Sequence, residues 1–300
     1  INFTSTAGDT ITKISFITSV VTNLTSNQIY SEWTFGDGNT INGVFDQNMS
    51  HHYVRAGNYS VIIHIRDAVY GISIANFTKN ITIHQPNYSS RILPTYYAGV
   101  SPMEEINNVK SNPGNVKALM VAGFDVYDTS TGQVKQNVID DIHRARLLVY
   151  VDIGSWTTPI DWTNWDQTSS ILTLLTNAGI DGIDFDEYPI PSASQFNTLK
   201  NNLKAINPNL RIIVTQVGSS TLSSFLANGG QPDYIALAWY LAGQTGFNSV
   251  KSLAQQYNIK SAYWVDYSTY NKIQQTYDET NMVMLWNHCW SSGTCSGTYP

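Results

Sequence analysis

Charge is scarce in this chain. Of its 300 residues only 13% are Asp, Glu, Lys or Arg, and the formal net charge is -6. That net negative charge argues against nucleic acid as a partner. Cysteine is nearly absent as well, with 2 in the whole sequence, at Cys289 and Cys295. No apolar run reaches the length that crosses a bilayer, so no membrane span is expected. No leader is visible before Ile1, which reads as a mature N-terminus or a cut boundary. No metal and no cofactor are expected, since only His288 lies near the cysteines and no second ligand pair appears.

What the chain has instead is Asn, Thr, Ser, Gln and ring. Aromatic residues make up 12%, with 8 Trp and 18 Tyr. Such rings suit stacking on the apolar faces of sugars, and they suit a packed core equally well. The Cys289–Cys295 spacing, with Gly293 and Gly297 nearby, fits a small disulfide loop in an oxidising compartment or two free thiols. Asn-x-Ser/Thr sequons stand at Asn2, Asn23, Asn48, Asn58, Asn76, Asn80 and Asn87, and none follows. Their one-sided distribution marks a boundary near residue 90. If they carry sugar, the protein is secreted or on a cell surface.

The length allows two domains or one large one. Residues 1–85 read as short β-branched or alternating segments, at Thr10–Ser19, Ile29–Phe35, Gly57–Arg66 and Ile72–Ile83, separated by turn signals. No helical period lasts three turns there, which predicts an all-β, Ig-like sandwich. Residues 86–93, with Pro86 and several polar residues, form the linker. From residue 94 to 300 apolar runs alternate with amphipathic segments. The runs are Thr95–Val100, Ala118–Phe124, Leu147–Ile153, Ile180–Phe185, Leu210–Val217, Tyr234–Tyr240, Ser261–Tyr267 and Met282–Trp286. Between them, Asp166–Asn177, Ser192–Ile206 and Asn248–Tyr257 carry apolar residues at helical spacing. This pattern predicts an α/β unit, a (β/α)8 TIM barrel, with its working end at the C-terminal ends of the strands. An open doubly wound sheet is the rival, but no glycine-rich phosphate loop follows the first strand. Those ends offer Asp125, Asp152, Gln216, Tyr240, Asp266 and Trp286.

The fourth run is the densest in acid. Asp181, Asp184, Asp186 and Glu187 stand within Gly-Ile-Asp-Gly-Ile-Asp-Phe-Asp-Glu-Tyr-Pro, which starts at Gly179. Strand alternation points Asp184 and Asp186 the same way, so each raises the other's cost of ionising. Acids at a strand's end can also be merely solvated, or cap the next helix.

Two resemblances follow. Trp33-Thr-Phe-Gly-Asp-Gly, with His52-Tyr-Val-Arg-Ala-Gly-Asn-Tyr, resembles the PKD (polycystic kidney disease) domain, a spacer or adhesion module that implies cell-surface contact or self-association and no chemistry. Gly36 and Gly38 flank Asp37 in a tight turn, and Gly57 is expected at a positive φ. In that pattern His51 and His52 are a strand entry and not ligands.

Asp181-Gly-Ile-Asp-Phe-Asp-Glu-Tyr-Pro resembles the fourth-strand signature of family 18 glycoside hydrolases, the chitinases and endo-β-N-acetylglucosaminidases. Leu147–Trp156 resembles that family's third strand, with Asp152 in place of a Ser. Ala238-Trp-Tyr-Leu resembles the sixth strand, keeping Tyr240, and Val283–Trp286 resembles the eighth. The resemblance implies substrate-assisted retention on β-1,4-linked N-acetylglucosamine, as in chitin or a glycoprotein glycan. It makes Glu187 the general acid and Asp186 the residue that orients the acetamide. Asp184 then tunes the pair, Tyr240 donates to the acetamide and Trp286 floors the sugar. Asp181, Asp152, Gln216, Asp125 and Asp266 are candidate substrate contacts. One spacer is missing, so Glu187 follows Asp186 directly. Parity then turns Tyr188 inward unless a bulge turns Glu187, and Asp186 itself stays open as the acid. The short stretch Ser268–Asn281 leaves no room for a further inserted domain, which predicts an open groove. Two rival readings stand beside this one. One is a related protein that holds glycan without cleaving it. The other is a glycosidase of another barrel family using Asp125, Asp152 or Asp266 on a galactosamine-type or neutral polysaccharide.

Overall fold

The computed structural model describes residues 2–5, 8–9, 13–19, 28–46, 48–53, 57–84, 94–96, 102–103, 106–107, 118–154, 160–186, 192–216, 218–237, 239–266 and 282–286. The chain divides into two compact units, Ile1–Asn87 and Tyr88–Pro300. Residues 86–93 fall outside the described residues before Pro94, and with them most of the expected linker.

The front unit is all β. One sheet pairs β1 (Asn2–Ser5), β3 (Lys13–Ser19) and β6 (Asn48–His52). The other runs β2 (Gly8–Asp9), β8 (Ser73–His84), β7 (Gly57–Asp67), β4 (Ile29–Thr34) and β5 (Thr40–Val44). Alternation assigns their inner faces: Ile14 and Phe16 from one sheet meet Trp33, Val61, Ile63 and Ile65 from the other in one buried cluster. The Tyr53 hydroxyl donates to the Phe35 carbonyl at 2.9 Å, which satisfies a polar tip inside that cluster. Gly36 and Gly38 take φ +83° and +91°, as the tight turn requires. Asp37 between them reaches His51 Nε2 at 2.7 Å and accepts from the Asn39 N–H at 3.0 Å. His51 therefore pins the turn, and with His52 it stands at the end of β6, not at a strand entry.

Two expectations need correcting here. Gly57 is not at a positive φ; it opens β7 paired with Ile83, in ordinary strand backbone. The polar strands β5 and β6 escaped the sequence reading, because Thr40–Val44 is almost wholly exposed and shows no alternation.

The second unit is a parallel sheet with helices in its connections. Its strands are β9 (Pro94–Tyr96), β10 (Ala118–Ala122), β13 (Leu148–Gly154), β14 (Gly182–Asp186), β15 (Arg211–Gln216), β16 (Tyr234–Leu237), β17 (Lys260–Asp266) and β18 (Met282–Trp286). They pair in that order, and β18 pairs with β9 again. A small hairpin of β11 (Tyr127–Asp128) and β12 (Gln133–Val134) follows β10. The helices are α1 (Gly123–Val126), α2 (Gln136–Arg144), α3 (Trp165–Asn177), α4 (Ala193–Ile206), α5 (Ser219–Ala227) and α6 (Trp239–Tyr257). Among the described residues no helix is long and apolar enough to cross a membrane.

The strands are buried on both faces, so they read as continuous apolar runs. Leu148, Tyr150, Ile213, Ala236 and Trp264 form an inner cluster. Val149, Val151, Ile183, Val214 and Ile235 pack outward against Ile142, Leu172, Phe196 and Leu222 of the helices. Gly182 is required where it stands, because a Cβ there would lie 2.2 Å from the Tyr150 ring. Helix starts follow local chemistry: Asn164 and Ser192 cap α3 and α4 by accepting from Gln167 N–H and Gln195 N–H.

Two expected strand ends move. The second run stops at Ala122, not Phe124, because the Asp125 carboxylate accepts from the Ala122 N–H and opens a helical turn. The sixth run stops at Leu237, and Trp239 and Tyr240 begin α6. No glycine or proline separates Leu237 from Tyr240, so the apolar run gave no sign of the change.

Candidate active site

The interior face of β14 carries Asp184 and Asp186, two positions apart and about 6.6 Å along the strand. Both are buried. Register then brings a third carboxylate beside them: Asp152 pairs directly with Asp184 across β13 and β14, on strands about 4.8 Å apart. Asp152 shares its face with Leu148 and Tyr150 of the inner cluster. Ala122 is the next partner in the row, and Asp125 is tied to it.

Asp184 is held from two further strands. Thr215 Oγ1 on β15 donates to both of its oxygens, at 2.8 and 3.0 Å. Trp264 Nε1 on β17 donates to Thr215 Oγ1 at 3.2 Å. Burial first, and then the neighbouring Asp186, hold the Asp184 carboxyl well above the usual carboxylate range, while the bonds from Thr215 and Trp264 pull it partly back. Ionising both carboxyls of such a buried pair is costly, because each charge lacks water and faces the other. Thr215 and Trp264 were missed from sequence. The only signal was strand parity, and it becomes useful once the register between strands is known.

The other expected residues are distributed as follows. Asp125 sits in α1, half-buried, and burial pushes its carboxyl up to about 6 against the pull of the Ala122 N–H and the Lys135 charge. Gln216 ends β15 on the parity of Ile212 and Val214, which pack on the helix side. Asp266 and Trp286 end β17 and β18 and pair with each other in register. Tyr240 lies in the first turn of α6, three residues past the end of β16. Asp181 lies just before β14, at the opposite end from Asp186. There its Oδ2 accepts from His143 Nε2 at 2.8 Å and from the Val149 N–H at 2.9 Å, which fixes α2 to the sheet. Glu187, Cys289, Cys295, Asn23 and Asn87 lie outside the described residues. Among the described residues no group of three His, Cys, Asp or Glu is placed to hold a metal ion.

Comparison with known proteins decides the front unit. The family described as PKD domain matches residues 4–83. The front unit is a PKD domain. A similar solved structure is the PKD1 domain of Vibrio anguillarum Epp, at 21% identity over 28% of this chain and 92% of that one, with a TM-score of 0.23. For the second unit, KGPDC from Streptococcus mutans is similar at 12% identity over 70% of this chain and 94% of that one, with a TM-score of 0.49. A family 39 glycoside hydrolase from the gut symbiont Bacteroides cellulosilyticus WH2 aligns at 11% identity over 99% of this chain and 77% of that one, with a TM-score of 0.44. None of the three reaches a TM-score of 0.5, so none decides what the site does. No curated protein matches the sequence.

Proposed function

We propose that residues 94–300 form a (β/α)8 barrel that hydrolyses N-acetylglucosamine-containing glycans outside the cell, behind a PKD spacer. The observation that carries this is the buried Asp184–Asp186 pair on the interior face of β14, with Asp184 locked by Thr215 and Trp264. A buried carboxyl pair costs stability, and such pairs gather where proton transfer or a hydrogen bond to a reacting group is wanted. It lies at the C-terminal end of its strand, the end at which barrel enzymes work.

The roles follow from the resemblance. Asp186, last in the strand, takes the N–H of the substrate acetamide and aims its carbonyl at the anomeric carbon. Asp184 shares the proton that keeps the pair from carrying two charges. Glu187, next in the sequence, protonates the leaving oxygen. Release of reducing ends from N-acetylglucosamine oligomers by the full chain tests this. Glu187→Gln should abolish the release, and unchanged turnover in that variant would refute the assignment.

One observation favours a second reading, glycan holding without cleavage. Tyr240, assigned to polarise the acetamide from a strand end, stands inside α6. Binding of a chito-oligomer with no turnover at any pH would select it.

A further inference from the structure

β5 is the last strand of its sheet. Among the described residues it pairs with β4 alone, antiparallel and without a bulge, from Tyr30 opposite Val44 to Thr34 opposite Thr40. The Phe45 N–H donates to the Ile29 carbonyl at 3.0 Å, and the Phe35 N–H donates to the Asn39 carbonyl at 3.1 Å. Bonded positions alternate in an antiparallel pair, so the backbone groups of Ile41 and Gly43 also turn toward β4. Those of Thr40, Asn42 and Val44 turn the other way, and all three residues are exposed. The usual protections of an edge are missing, because no charge and no proline falls between Gly38 and Phe45. Apolar surface stands there instead, with Val44 65% and Ile41 41% exposed.

This edge is complementary to itself. When two copies of β5 lie antiparallel about Asn42, Asn42 of one faces Asn42 of the other, and Thr40 faces Val44 on either side. Each of these pairs then exchanges both of its N–H···O bonds, which uses every outward donor and acceptor of Thr40, Asn42 and Val44. A slip of two residues would set Val44 opposite Gly38, or Thr40 opposite Asp46, and both of those lie outside the strand. Side chains agree with the same register. On the face shared with Trp33, Ile41 falls opposite Gly43, where a Cβ would meet nothing within 4 Å. The isoleucine of one copy thus fills the notch left by the glycine of the other. On the opposite face Thr40 meets Val44, two β-branched residues, and no like charges are set against each other.

We propose that two copies of this chain join β5 to β5 about a two-fold axis at Asn42, so that the five-stranded sheets of two PKD domains become one continuous sheet. Such an interface is isologous, so it closes at two copies and uses both edges. The strands are short and the contact is small, which makes the dimer a concentration-dependent one.

The test is sedimentation of the full chain over a range of concentrations, with amide hydrogen exchange read residue by residue at the two extremes. The sedimenting mass should double as concentration rises, and exchange at Thr40, Asn42 and Val44 should slow about tenfold or more. Ile41 and Gly43, already turned toward β4, should exchange alike at both extremes. Asn42→Pro removes the central outward N–H and sets a ring in the path of the second copy, while the β4 ladder loses no bond. That variant should stay monomeric with a melting temperature near that of the wild type, and a variant that dimerises like the wild type would contradict the proposal. A wild type that is monomeric throughout would overturn it. A dimer in which Thr40, Asn42 and Val44 exchange as fast as in the monomer would overturn it too, because another surface would then hold the copies together. The wild-type exchange comparison decides the matter even if Asn42→Pro fails to fold.

Discussion

Thr215 Oγ1 bonds both carboxylate oxygens of Asp184 from the neighbouring strand, and Trp264 Nε1 bonds Thr215 in turn. Three strands thus share one buried carboxyl, and its charge state is tied to their packing. Thr215→Val deletes the hydroxyl that favours the ionised form, so the Asp184 carboxyl should titrate higher still. Carbon-13 NMR of the labelled Asp carboxyls reads this directly. The same variant should lose about 1–3 kcal/mol in urea unfolding, the usual cost of stranding a buried polar group.

Asp125 gives a pH signature. Its folded carboxyl is raised to about 6 from an unfolded value of 3.8, chiefly by burial. Between those values the folded chain holds a proton that the unfolded chain releases. This residue's contribution to stability therefore falls as pH rises through that window. Asp125→Asn should flatten the fall, and the advantage of the variant should grow from pH 4 to about pH 6 and then level off. Melting temperatures across that range measure it. A variant whose profile parallels the wild type would show that the carboxyl is not held neutral.

Asp181 anchors the far end of the same strand. Asp181→Ala strands His143 Nε2 and the Val149 N–H, both buried, and should cost about 1–3 kcal/mol for each group. Turnover per folded molecule should be unchanged, because the residue lies at the N-terminal end of β14, away from the strand's working end. A loss of turnover at full folding would instead return Asp181 to the substrate contacts.

These pairs show which parts of the protein could be read in advance. Among the described residues, apolar runs bounded by turns marked the eight strands of the parallel sheet, since strands buried on both faces have few other compositions, while the short β11–β12 hairpin went unread. Alternation alone set Asp184 and Asp186 on one face. The carboxylate's partners could not be read, because Thr215 is 31 residues from Asp184 and Trp264 is 49 from Thr215, and only the sheet register joins them. Asp181 looked like part of the acidic cluster because sequence proximity hides the length of a strand. Three residues of β14 carry Asp184 to the inner face, while Asp181 stays behind at the entry to the strand. In the PKD domain, Asp37 in the β4–β5 turn meets His51 on β6 of the other sheet, and β5 and β6 are too polar to announce themselves.

The most direct test of the account is reducing-end release from an N-acetylglucosamine oligomer by Asp186→Asn beside the wild type, with melting temperatures matched. The wild type should cleave, and Asp186→Asn should fall by about 10²-fold or more while still binding the oligomer. Equal cleavage by the two proteins would contradict a catalytic centre on the Asp184–Asp186 pair.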